Sequence, residues 1–195
     1  ARELGAAGAC DFTDIAYTST DDVITPALRL CGSYSDGGAT QYALYAGFNG
    51  LHELTSAYAL GASGDYNNAT QLVTGGNLSL VSTFVCGTLY NTTQGKRSFI
   101  SKIGGATTSF FPPENIGFAC VGLLHRGSSI SLLLLSQNPG PYSSDGVLVS
   151  LDTALSPLSA SGLFAGDSGN FRPGGLARYD ASTMVVCGAL RGPLI

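Results

Sequence analysis

The chain has 195 residues, of which 11% are charged and 27 are glycine, with a formal net charge of −4. That charged share is less than half the usual ~25%, and the basic residues are scattered, with only Lys96 and Arg97 adjacent, so nothing is expected to hold a phosphate backbone. Apolar runs such as Ile130 to Leu135 fall far short of the roughly 20 residues of a membrane span, and two histidines without a C-x-x-C pair give no zinc set and imply no cofactor.

Short β-branched and aromatic runs bounded by Gly, Asn, Asp, Ser and Pro recur without helical periodicity, which predicts one all-β domain over residues 1–195. In chain order, Ile15 to Tyr17 forms a strand that turns at Ser19 to Asp22 and leads to an apolar strand ending at Cys31-Gly32. A turn at Tyr34 to Gly37 precedes a strand containing Leu44, Tyr45 and Phe48. Leu51 to Leu60, crowded by Gly47, Gly50, Gly61 and Gly64, is strand or loop. Leu72-Val73, a turn at Gly75 to Asn77 and a strand ending at Cys86-Gly87 follow, and then the strand Phe99 to Ile103. The apolar turn Phe110-Phe111-Pro112-Pro113 separates these from Phe118 to Leu124, a turn at His125 to Ser128 and an apolar strand ending at Leu135-Ser136. Gln137 to Pro141 is a Pro/Gly turn, Val147 to Leu151 the next strand, and Leu176 to Tyr179, a turn at Asp180 to Ser182 and a strand through Cys187-Gly188 complete the chain.

These elements repeat. Aligned on Cys31-Gly32, Cys86-Gly87, Leu135 and Cys187-Gly188, four hairpins lead into four anchor strands near 31, 86, 135 and 187. Their spacing is about the length of one four-stranded propeller blade. Phe84-Val85-Cys86-Gly87 with Phe99-Ile100-Ser101-Lys102-Ile103 resembles bacterial and archaeal β-propeller repeats, in which an apolar strand ending in Gly precedes a Phe-Ile-x-Lys-Ile strand. The repeat implies a four-bladed, propeller-like fold; a β-sandwich or jelly roll is the alternative, because any all-β chain carries turn signals at such intervals. The last anchor strand lacks downstream partners, and residues 1–12 would supply them, either within one chain or by strand addition between subunits.

Little in the sequence carries chemistry. Gly166-Asp167-Ser168-Gly169 looks like the nucleophile loop of chymotrypsin-like proteases, with Ser168 as nucleophile, His52 as base and Asp65 as orienting acid. Neither His52 nor His125 has the family's surrounding pattern, so no catalytic residue is expected. Asn68-Ala69-Thr70, Asn77-Leu78-Ser79 and Asn91-Thr92-Thr93 are sequons in or beside predicted turns, which predicts glycosylation at Asn68, Asn77 and Asn91. Of the five cysteines, Cys31, Cys86 and Cys187 close apolar runs and are expected in the core; an odd count leaves one thiol free or paired between chains. Tyr34, Tyr42, Tyr45, Tyr58, Tyr66 and Tyr90 crowd the first half, where exposed tyrosines would suit a glycan or protein ligand, and Tyr45 is expected in the core. The sum is an extracellular or cell- or virion-surface structural subunit of a filament, coat or shell that self-associates. A monomeric glycan- or protein-binding propeller module is the alternative, and a serine protease a distant third.

Overall fold

A computed structural model describes residues 9–18, 27–35, 37, 40–60, 66–77, 80–91, 95–105, 107–110, 118–136, 146–163, 170–180 and 182–191. The elements are all strands, and they fall into successive antiparallel units. Unit I comprises β1 (Ala9–Thr18), β2 (Ala27–Ser35), β3 (Gln41–Phe48) and β4 (Leu54–Leu60). Unit II comprises β5 (Tyr66–Asn77), β6 (Leu80–Asn91), β7 (Gly95–Lys102) and β8 (Thr107–Phe110). Unit III comprises β9 (Phe118–Arg126), β10 (Ser129–Ser136), β11 (Gly146–Asp152) and β12 (Pro157–Leu163). Unit IV holds β13 (Asn170–Arg178) and β14 (Met184–Arg191). A single parallel bridge, Gln41 to Tyr66, joins units I and II into one eight-stranded sheet.

The first strands run side by side, β1 against β5, β5 against β9 and β9 against β13; β13 makes no comparable contact with β1 among the described residues, so the sheets do not close into a ring. Nor do Ala9 to Phe12 complete the last unit, because they are already paired with Gly32 to Ser35. Of the segment expected to complete the last unit, residues 1–12, the described part pairs with β2 of unit I, and residues 1–8 lie outside the described residues.

Strand alternation gives each sheet two faces, and both faces of unit II are buried. One meets unit I through Cys31, Ala43, Tyr45, Ala69, Leu72, Val85 and Phe99. The other puts Phe84, Cys86 and Ile100 against Cys120, Leu123, Ile130, Leu132, Leu134, Val149 and Leu151 of unit III. Full burial of such a side chain is worth about 1.5–3 kcal/mol, so these two layers hold the stack together.

Each first strand carries a bulge at the same place. The ladder skips Thr13 in β1, Thr70 in β5, Val121 in β9 and Gly174 in β13. Opposite lie Cys31-Gly32, Cys86-Gly87, Leu133-Leu134 and Cys187-Gly188, so the third anchor falls two residues before Leu135. The sequence alignment missed this because Leu133-Leu134 lacks both the Cys and the Gly. A Cβ at Gly32 would collide with the carbonyl of Asp11, and one at Gly87 with the carbonyl of Asn68, which explains the repeated glycine.

Turns repeat as well. Between β3 and β4, Asn49 Oδ1 accepts from the amides of Leu51 and Glu53, and His52 sits at φ 59°. Between β11 and β12, Asp152 Oδ1 accepts from Ala154 and Ser156, and Leu155 sits at φ 69° with its side chain buried in the core. Leu51 to Leu60 thus divides into the end of this turn and β4. The turn expected within His125 to Ser128 is Gly127-Ser128, with Gly127 at φ 57° and β9 running on through Arg126. In the β13–β14 turn the Ser182 amide and hydroxyl and the Thr183 amide donate to Asp180, holding its carboxyl down at about 2 from the ordinary 3.8. Its folded pKa is depressed, so this turn's contribution is full above about pH 4 and is lost as pH falls through about 2.

The bulge geometry makes Gly87→Ala disruptive. We expect it to lower stability by about 1–3 kcal/mol in urea unfolding, whereas Gly104→Ala in the open turn at φ 79°, with no atom near its would-be Cβ, costs about 1 kcal/mol or less. Equal losses would contradict the close approach of β5 and β6.

Candidate functional site: the faces where units meet

The side-chain hydrogen bonds that pass from one first strand to the next lie at the bulges. Extra backbone at a bulge turns its side chains across the sheet edge toward the next unit. From β1, the Thr13 hydroxyl donates to the carbonyl of Ala69, and Asp14 Oδ2 accepts from the Leu72 amide at 2.9 Å. From β5 the pattern recurs one unit later. Thr70 donates to the carbonyl of Cys120 at 2.9 Å, Gln71 Oε1 accepts from the Leu123 amide at 3.0 Å, and Gln71 Nε2 donates to the Val121 carbonyl at 3.2 Å. In β9 the corresponding residue is Gly122, and here the next unit comes close enough that a Cβ would lie 2.7 Å from Leu176 Cβ. Each hydrogen bond contributes only about 0.5–1.5 kcal/mol. Their repeated position makes them register pins for an interface whose strength is apolar.

Sulfur adds a covalent link. Cys86 of unit II is bonded to Cys120 of unit III, with Cα atoms 6.2 Å apart. Cys86 lies in the core as expected, but as half of a disulfide and not as a free thiol, and no local pattern in the sequence marks Cys120 as its partner. Closing a loop of 34 residues stabilises the stack by about 3–4 kcal/mol on the chain-entropy account. Cys31, in the same position of unit I, is a buried thiol as expected, because unit II offers Ala69 where unit III offers Cys120. Burial, the largest cause, pushes its pKa up to about 12, with nearby Asp14 adding to the rise and a hydrogen bond with Thr13 opposing it. Cys187, the same position in unit IV, is exposed, which corrects its assignment to the core.

The other sequence candidates are dispersed. His52 is exposed in the β3–β4 turn, while His125 lies on β9 with its ring stacked on Phe84 at 5.7 Å. Desolvation lowers the His125 pKa, which favours the neutral imidazole against the aromatic ring. Asp65 and Gly166 to Gly169, with Ser168, lie outside the described residues. No group of three or more His, Cys, Asp or Glu side chains that could hold a metal occurs among the described residues.

Asn77 and Asn91 are the last residues of β5 and β6. Asn68 is instead inside β5, opposite Thr88, with its Oδ1 buried and without a hydrogen-bond partner. Its neighbour Asn67 is fully buried and accepts from the Tyr90 amide. Tyr45 is buried, tilted against Tyr58, and Tyr34 stacks on Tyr42 with ring centres 6.2 Å apart. Tyr66 and Tyr90 face each other across β5 and β6, and both are exposed. Phe111 to Pro113 lie outside the described residues.

No family model matches the chain, and no curated protein matches it.

A thiol held near 12 has about a thousandth of the ordinary thiolate at pH 8. Cys31 should therefore react with iodoacetamide on the order of a thousandfold more slowly in the folded chain than in urea, as read by peptide mass spectrometry. Equal rates would place Cys31 outside the face between units I and II.

Proposed function

We propose that the chain is an extracellular, non-catalytic structural subunit of a surface filament, coat or shell, built of propeller-type blades, carrying N-linked sugar and associating with itself. The observation that carries this reading is the unburied apolar surface at the far end of the stack. Tyr179 and Val185 of unit IV are 78% and 46% exposed, although the same face of units I and II is core. Large apolar side chains exposed together on one sheet face are the kind of surface through which proteins associate. The Cys86–Cys120 disulfide supports an oxidising compartment. No helix among the described residues is long and apolar enough to cross a membrane.

The propeller reading draws on three features: sequential antiparallel units, first strands side by side, and apolar layers between facing sheets. A jelly roll would need long crossovers between two sheets, whereas within every unit here each strand pairs with the next in sequence. The strand-end positions of Asn77 and Asn91 suit sugar attachment better than the half-buried, mid-strand Asn68.

One observation favours a glycan- or protein-binding module instead: the exposed pair Tyr66 and Tyr90. Electron microscopy of natively purified protein, with light scattering for particle mass, separates the two readings. The structural reading predicts filaments, sheets or shells, with a mass that falls after enzymatic removal of N-linked sugar. A monodisperse particle of one glycosylated chain at micromolar concentration would contradict it and direct attention to the tyrosine pair.

A further inference from the structure

We propose that the outward face of unit IV docks on the outward face of unit I in a second copy of this chain, in the arrangement that unit II makes with unit III. The proposal rests on the self-associating reading above and names the surface that reading needs.

Equivalent positions follow from the bulges. Cys187 stands opposite Gly175 as Cys86 stands opposite Gln71, and Val185 opposite Ala177 as Phe84 stands opposite Val73. In unit II this face, with Val73, Phe84 and Cys86, is the core layer against unit III. In unit IV, Pro173 and Leu176 point back at Gly146 and Gly122 of unit III. Alternation therefore turns Ala177, Tyr179, Val185, Cys187 and Ala189 outward, and all five are exposed. Arg172, also exposed, lies on the same face beyond the bulge.

The receiving surface is at the other end. Cys120 and Leu123 are the β9 residues that unit III turns toward unit II. The same positions relative to the bulge in β1 are Phe12 and Ile15, which are 44% and 61% exposed. The Leu72 and Leu123 amides are each held by a side chain of the preceding unit. At Ile15 the amide is taken by Asp14 of the same strand, at 2.9 Å. One chain thus presents both halves of the contact that joins its own successive units, and this continuity selects a second copy as the occupant. Small Gly174 and Gly175 at the leading edge of unit IV match the close junction formed by Gly122 and Leu176. Copies joined this way are related head to tail, which extends into a filament or closes a ring according to the rotation per step.

The geometry is testable because Phe12 occupies the place of Cys120. In a chain carrying Phe12→Cys and Cys10→Ser, position 12 of one copy should lie within disulfide reach of Cys187 in the next. Oxidised glutathione supplies the oxidant: two thiols become one disulfide as one glutathione disulfide is reduced to two thiols. We expect ladders of linked chains on a non-reducing gel, a peptide joining position 12 to Cys187, and loss of both on adding Cys187→Ser. Val185→Asp in the natural chain should weaken self-association about tenfold or more by sedimentation, with an unchanged circular dichroism spectrum. Assembly of the natural chain without a link between positions 12 and 187 overturns this interface and leaves the structural reading standing. A link confined to single chains shows the two faces closing on each other and overturns it as well. A natural chain that stays monomeric removes both the interface and the reading beneath it.

Discussion

The bulge in the first strand of each unit is the constraint on which the rest of the molecule depends. By displacing one residue from the ladder, it aims a side chain at the neighbouring first strand: Thr13 and Asp14 from unit I, Thr70 and Gln71 from unit II. It also brings the opposing backbone so close that Gly32 and Gly87 have no room for a Cβ. The hydrogen bonds fix which residue meets which, and the apolar layers on either side of unit II supply the larger stabilisation, at about 1.5–3 kcal/mol per fully buried large side chain against about 1 for each hydrogen bond. Register and strength therefore come from different residues.

That division explains what was legible beforehand. Alternating apolar runs and turn residues announced the all-β class, because they report local backbone preference and burial. The Cys-Gly pairs exposed the repeat in units I, II and IV, and at Gly32 and Gly87 the opposing carbonyl leaves no room for a Cβ, a steric constraint that marks the sequence. In unit III the same place is filled by Leu133-Leu134, and the alignment drifted to Leu135. The Asn49 turn was ambiguous because its positive φ falls on His52 and not on the nearby Gly50.

Contacts between units were not legible. Nothing local distinguishes Cys86, whose neighbour across the interface is Cys120, from Cys31, which has none, or from Cys187, which faces outward. Asn68 likewise matches a sequon in sequence, yet lies inside a strand. The three cysteines look alike in sequence, and what lies across from each decides whether it is bonded, buried or exposed.

The functional account follows from the same feature. In the proposed self-associating reading, the end faces build outward through exposed residues at positions that are core between units. Peptide mapping of the unreduced protein is the most direct check on the central claim of face-to-face stacking. The account predicts one intrachain disulfide, Cys86 to Cys120, with Cys31 unmodified until the chain unfolds. A bond from Cys86 or Cys120 to Cys31 would require a different stacking of the units and would contradict the account.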